Sequence, residues 1–126
     1  MVPQDLRYTK DHEWVRVEGD VATVGITDYA AQQLGDVVFV ELPEAGRKVT
    51  QFSAVGVVES VKAVSDMFAP IGGEVIGTNP ELIAHPELLN SDPFGAGWML
   101  RIRISDAGQV GALLAPSAYE KLTAEG

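Results

Sequence analysis

Cysteine is absent from this 126-residue chain. The polypeptide therefore supplies no disulfide, no thiolate metal site, no iron–sulfur ligand and no thiol nucleophile. Positive charge is scarce: nine Lys plus Arg stand against 18 Asp plus Glu, for a formal net charge of −9 and a pI near 4.5. Nucleic acids and anionic membrane surfaces both require a basic footprint, so neither is an expected partner. No apolar run approaches the ~18–20 residues that cross a bilayer. The N-terminus, MVPQDLRYTKDHEW, lacks the basic region and apolar stretch of a secretory signal. The default location is cytoplasmic, and a mature mitochondrial protein would read the same way. His12 and His85 have no companion ligand at metal spacing, and no metal site is expected. G-x-S-x-G, P-loop and G-x-G-x-x-G motifs are missing, which leaves no signature of an enzyme active site.

What is present reads as one domain over residues 1–126 with a β core. A chain of this length buries enough surface to hold together without staples. Hydrophobic residues make up 46% and charged residues 21%, a globular balance rather than a disordered one. Residues 98 to 104 alternate, with Trp98, Leu100, Ile102 and Ile104 facing one way and Met99, Arg101 and Arg103 the other. Val21–Ile26 and Val37–Leu42 are strands rich in β-branched residues. Trp14–Val17 pairs with Val21–Ile26 through a hairpin at Glu18-Gly19-Asp20, and Glu74–Ile76 is a short strand. Thr27 caps a helix over Asp28–Leu34 that Gly35 stops. Asn79-Pro80 opens a short helix ending near Ala84, Asp106 caps a weak segment, and Pro116 starts a last helix through Leu122. Asn90 to Gly97 reads as a loop. Trp14 and Trp98 are expected in the core or at its rim.

One segment lacks turn chemistry. From Ala54 to Ala69 the residues keep β character, with Gly56 the only glycine and no Pro or Asn. As one strand it would run to roughly 50 Å, against a typical ~5–6 residues per strand, so it must fold back. Polarity places the turn at Glu59-Ser60 or Ser65-Asp66. Near the middle stands Lys62. An anonymous lysine in such a place is ordinarily a solvated charge on a strand edge.

The string ESVKAVSD around Lys62, followed by Pro70, Gly73-Glu74-Val75 and Asn79, resembles the lipoyl-lysine signature of the glycine cleavage system H protein family. His12-Glu13-Trp14, the stretch from Val24 to Ala30, Leu34-Gly35-Asp36 and Val38 to Pro43 resemble its N-terminal half. Pro86 to Asn90, Asp92-Pro93 and Gly97-Trp98 resemble its C-terminal half. The resemblance implies a flattened β barrel or sandwich, the lipoyl/biotinyl-carrier hybrid barrel, with a few short peripheral helices and a modified lysine at a hairpin tip.

It also implies a monomeric, non-catalytic carrier with lipoate joined as an amide to Lys62. The arm would take an aminomethyl group from a pyridoxal-phosphate glycine decarboxylase to a tetrahydrofolate-dependent aminomethyltransferase. Dihydrolipoamide dehydrogenase would then reoxidise it. A lipoyl ligase or transferase would install the group, with Glu59 and Gly73 helping to present Lys62. Glu13 and Asp66 would line a cleft that shields the cationic cargo from water. Ala115 stands where the family has a capping acid before the last helix, and Gly72 where a side chain is usual. A biotin carrier would have methionines beside the lysine, where this chain has Val61 and Ala63. A lipoyl domain of a 2-oxoacid dehydrogenase would leave the Glu13-Trp14 and Gly97-Trp98 blocks unexplained. An H-like protein that relays lipoyl groups to other complexes shares the same residues.

Overall fold

A computed structural model describes residues 2–125. In chain order the elements are β1 (Arg7–Tyr8), β2 (Glu13–Glu18), β3 (Val21–Ile26), α1 (Asp28–Leu34), β4 (Val37–Glu41), β5 (Lys48–Val49), β6 (Ala54–Ser60), β7 (Val64–Phe68), β8 (Gly73–Thr78), α2 (Glu81–Ala84), α3 (Leu88–Ser91), β9 (Leu100–Ile104) and α4 (Pro116–Glu125). A 3-10 turn spans Ala107–Ala112, opened by Asp106, whose carboxylate accepts from Gly108 N–H at 2.9 Å. No helix among the described residues is long and apolar enough to cross a membrane.

The strands form two antiparallel sheets. One has six strands in the order β1-β2-β3-β9-β8-β5, the other three in the order β4-β6-β7. Inward side chains of both, among them Val15, Val24, Val75 and Ile102 from the larger and Val40, Val58 and Met67 from the smaller, meet in one apolar core. This is the sandwich form of the expected architecture; the two sheets do not join into a closed barrel. A second cluster of Leu6, Tyr8, Trp14 and Tyr119 fastens α4 to the start of the chain. The Tyr8 and Tyr119 rings stack there at 4.7 Å.

Local chemistry explains the elements that were legible. Thr27 Oγ1 accepts from Ala30 N–H at 3.2 Å, and Gly35, at φ 81°, ends α1 as its N–H donates to Ala31 O. Three expectations need correction. The Asn90–Gly97 loop begins later, because Asn90 and Ser91 complete α3, where Asn90 is held by bonds to residues 35 and 37. The alternation assigned to 98–104 holds only within β9: Met99 is fully buried, and Trp98 lies half-exposed under the Arg101 guanidinium at 4.1 Å. The turn of the long β segment lies at neither polar dipeptide; it spans Val61-Lys62-Ala63, between β6 and β7.

Candidate functional site

The misplaced turn has a definite cause. Ser60, nearly buried at 6% exposure, builds it without glycine or asparagine. Its Oγ accepts from Ala63 N–H at 3.0 Å and from Lys62 N–H at 3.3 Å, while its own N–H donates to Ala63 O at 2.8 Å. A serine hydroxyl can replace ladder partners in this way. Val61 N–H donates to Asp36 O at 3.1 Å, which ties the tip to the segment between α1 and β4. Asn90 braces that segment from α3, accepting from Val37 N–H at 2.9 Å and donating to Gly35 O at 2.8 Å.

Lys62 is exposed at the apex and forms no salt bridge among the described residues. Its aliphatic stem lies over Gly35, where an added Cβ would come within 3.3 Å of Lys62 Cε. The geometry therefore fixes the backbone under this lysine and leaves its amine in water.

A cleft of 170 Å³ opens beside the hairpin, between β2, α1 and β7. Its polar lining includes Asp11, His12, Glu13, Gln33, Ser65 and Asp66; Ile26, Leu34, Val58 and Met67 supply apolar wall. None of its lining residues is Lys or Arg. Glu13 is 2% exposed, at the start of β2. It accepts from Thr9 Oγ1 at 2.5 Å and from Phe68 N–H of β7 at 3.2 Å. Burial pushes its carboxyl up to about 7, although both hydrogen bonds pull the other way. Burial also lowers the affinity of His12 for a proton, against the opposing influence of Asp11. His12 has a left-handed backbone at φ 71° and is held by a 2.8 Å bond between Nδ1 and Tyr119 Oη. Tyr119 Oη in turn lies 2.7 Å from Thr27 Oγ1.

The structure thus brings Glu13 and Asp66 to one cleft, with Glu13 deep and Asp66 exposed at the rim. Asp66 also borders a 230 Å³ depression on the outer face of the three-stranded sheet. Glu59 is half-buried in β6, between Phe39 of β4 and Val64 of β7, at the neck of the Lys62 hairpin. Gly73 stands apart in the six-stranded sheet, paired with Val49 and Ile104. A Cβ there would lie 1.9 Å from Arg103 O, at a φ of 155°, so close backbone approach dictates the glycine. Gly72 is likewise held, its N–H donating to Gln109 Oε1 at 2.8 Å. His85 is exposed, 3.3 Å from Glu87, and takes no part in either place.

Sequence reading missed Ser60, Asn90, Gly35 and Thr9 as supports. Ser60, two residues from the lysine in an otherwise turnless segment, was the one with a usable signal.

Comparisons with known proteins place the chain beside one family. A sequence model described as glycine cleavage H-protein matches residues 6–126. The chain is 58% identical over 118 residues to the glycine cleavage system H protein of Magnetococcus marinus, covering 94% of this chain and 84% of that one. It is 53% identical over 125 residues to the protein of that name in Symbiobacterium thermophilum, covering 99% and 98%. The crystal structure of a glycine cleavage system H protein from Mycobacterium marinum superposes with a TM-score of 0.91 at 40% identity, covering 98% of this chain and 99% of that one.

Proposed function

The chain belongs to the glycine cleavage H-protein family, and from that premise we propose that it is the lipoyl carrier of a glycine cleavage system, with lipoate attached at Lys62. The observation that carries this reading is the exposed amine of Lys62 on a backbone fixed by Ser60 and Asp36. Such a lysine suits an acyl acceptor. Its Nζ attacks the activated carboxyl of lipoate, an amide forms, the activating group leaves and the nitrogen loses a proton.

Held as an amide on Lys62, lipoate would supply dithiolane chemistry suited to carrying an aminomethyl group from glycine decarboxylase to the aminomethyltransferase, with dihydrolipoamide dehydrogenase as the source of reoxidation. The chain's own residues tether, orient and shelter. Lys62 contributes a flexible stem, and tethering raises the local concentration of the reactive group at each partner. Glu13, Asp11 and Asp66 give the cleft a negative lining for a cationic amine, and the apolar wall of Ile26, Leu34, Val58 and Met67 excludes water. In this reading the chain is a single, monomeric, cytoplasmic carrier domain with no catalytic residue of its own. A lipoyl ligase or transferase installs the arm, and Glu59 and Gly73 help to present the lysine, Gly73 by fixing the sheet rather than by touching the tip.

Intact-mass and peptide mapping of protein from lipoate-replete native cells tests the assignment. A lipoyl amide confined to Lys62, among Lys10, Lys48, Lys62 and Lys121, is the expected result. An unmodified Lys62 sinks it, and a biotin mass selects a different carrier class. Lys62→Arg should support no glycine decarboxylation when reconstituted with the partner enzymes; retained turnover refutes the role.

A further inference from the structure

The six-stranded sheet turns one face to the core and the other outward, on the side of the sandwich away from the three-stranded sheet that bears Lys62. One rung of that outer face stands out. Arg16 of β2 pairs with Thr23 of β3, Thr23 with Arg101 of β9, and Arg101 with Gly77 of β8. Val15, Val24 and Ile102, their chain neighbours, point into the core, so the rung faces outward. Two arginines thus flank one threonine, roughly 10 Å apart at ~4.8 Å per strand, with no acid on the rung. The chain has 18 acids to nine bases, yet neither arginine forms a salt bridge among the described residues. Arg103, two positions along β9, does so with Asp20 at 4.0 Å.

Both guanidiniums rest on indoles. Arg16 Cζ lies 5.3 Å from the Trp14 ring and Arg101 Cζ 4.1 Å from the Trp98 ring. Trp14 is itself fixed over Gly25, where an added Cβ would come within 2.7 Å of its ring. Arg16 Nη2 also donates to Phe94 O at 3.4 Å. Stacking sets the plane of a guanidinium and leaves its remaining edge donors for an oxyanion. Thr23, between the two, is 7% exposed. Its hydroxyl makes no hydrogen bond among the described residues, and every side-chain polar atom sealed from solvent there does make one, so Oγ1 opens onto the gap between the arginines.

We propose that Arg16, Thr23 and Arg101 form a seat for the carboxylates of an acidic segment of another protein, laid across β2, β3 and β9. Charge complementarity selects this occupant: two preset guanidiniums and a free hydroxyl meet neighbouring carboxylates. The rung lies on an open sheet face, which suits a protein segment better than an enclosed small molecule. Nucleic acid and anionic lipid match it less well, because Glu18 and Glu74 stand on the next rung beside Val21 and Arg103 and the whole chain carries −9. A segment seated here leaves the hairpin of the other sheet uncovered. The inference does not depend on acylation of Lys62.

The test titrates isotope-labelled full-length protein with a hexaglutamate peptide and reads the Nε–H signals of Arg16 and Arg101 and the amide of Thr23 by NMR. A saturable shift at these three positions is expected at low salt, and its loss in ~1 M salt, where the screening length is ~3 Å. The net charge of the chain opposes non-specific capture of a polyanion, so saturation reports the local seat. Arg101→Gln and Thr23→Val should each weaken binding about tenfold. Arg103→Gln makes the same change of charge on the next rung and should leave binding within about twofold. No saturable shift, or equal weakening by Arg101→Gln and Arg103→Gln, overturns the seat. Inorganic phosphate or an oligothymidylate bound as tightly as hexaglutamate overturns the acidic protein segment as its occupant. Lys62→Gln should bind the peptide as wild type does; weaker binding there would place the anion at the hairpin and overturn the proposal.

Discussion

Replacing Glu13 by Gln should change stability and cargo retention in opposite directions. Glu13 is 2% exposed, and its folded-state pKa stands near 7 against an ordinary 4.5. Below pH 4.5 both folded and unfolded chains hold the proton, and ionisation costs nothing. Between 4.5 and 7 the unfolded carboxyl gives up its proton while the folded one keeps it, so stability falls as pH rises. Above 7 the folded carboxylate ionises too, and the loss levels off at about 3 kcal/mol, from the rise from 4.5 to about 7 at ~1.36 kcal/mol for each tenfold change in acidity.

Glutamine has the same shape and does not titrate. It leaves one of the two donors, Thr9 O–H or Phe68 N–H, facing an amide NH2 group, a loss of roughly 1–3 kcal/mol if Thr9 cannot rotate to accept. Glu13→Gln should therefore be the less stable protein below pH 4.5 and should draw level with wild type, or exceed it, above pH 7. Urea melts on both sides of that window measure this directly, with matched m-values as the check on two-state behaviour. Wild-type and variant stability curves that run parallel across the window would refute the buried-carboxylate argument. With the arm loaded, a cation beside Glu13 favours its charged form. The variant should then release cargo faster at neutral pH, as mass spectra of the loaded protein over time would record. Equal lifetimes would remove Glu13 from the cleft's function and leave it a structural acid.

Three further substitutions test the supports. Gly73→Ala drives a Cβ to 1.9 Å from Arg103 O and should cost several kcal/mol; a melting temperature within a few degrees of wild type contradicts that geometry. Ser60→Ala removes the acceptor for the amides of Lys62 and Ala63 and should lower stability by about 1–2 kcal/mol. Amide exchange should accelerate at those two positions before it does elsewhere, and unaltered protection there would exclude the serine turn. Asn90→Ala breaks bonds to Val37 N–H and Gly35 O and should cost about 2 kcal/mol, with faster exchange at Val61. A change confined to α3 would show that the brace does not reach the tip.

The parts of the fold that could be read from the chain are those whose causes are local. Helix α1 begins and ends where Thr27 and Gly35 say, because both act within four residues of themselves. Strand β3 runs over the expected Val21–Ile26 because its β-branched pattern needs no distant partner to be recognised. The turn at Val61–Ala63 was displaced because half of its chemistry comes from Asp36 O, 25 positions away. The end of α3 reads as loop in the sequence because Asn90 is held by residues 35 and 37. Glu13 sits beside Asp11 and His12 in the sequence and looks solvated. Its burial is created by Phe68, 55 positions on, whose N–H closes over the carboxylate. Gly73 stands out in the sequence only through the family resemblance, because the reason for the glycine, the carbonyl of Arg103 on β9, is tertiary. In each case the missing information is a partner distant in the chain.

The strand that follows the tip also walls the cleft. Lys62 sits just before β7, and Ser65, Asp66 and Met67 of β7 line the cleft three to five positions later. At ~3.4 Å per residue that separation is roughly 10–17 Å along the strand. An arm built from a lysine stem and an acyl chain can fold back over such a span or extend away from it, and tethering is most effective when reach matches span. The same strand donates Phe68 N–H to Glu13 and so helps to hold the buried carboxylate that a cationic cargo would meet. Lys62 and the cleft are thus fixed to each other by one continuous backbone, which in the proposed carrier would join attachment point and shelter. In the proposed carrier, a cationic cargo in the cleft would favour the charged form of Glu13, which burial disfavours.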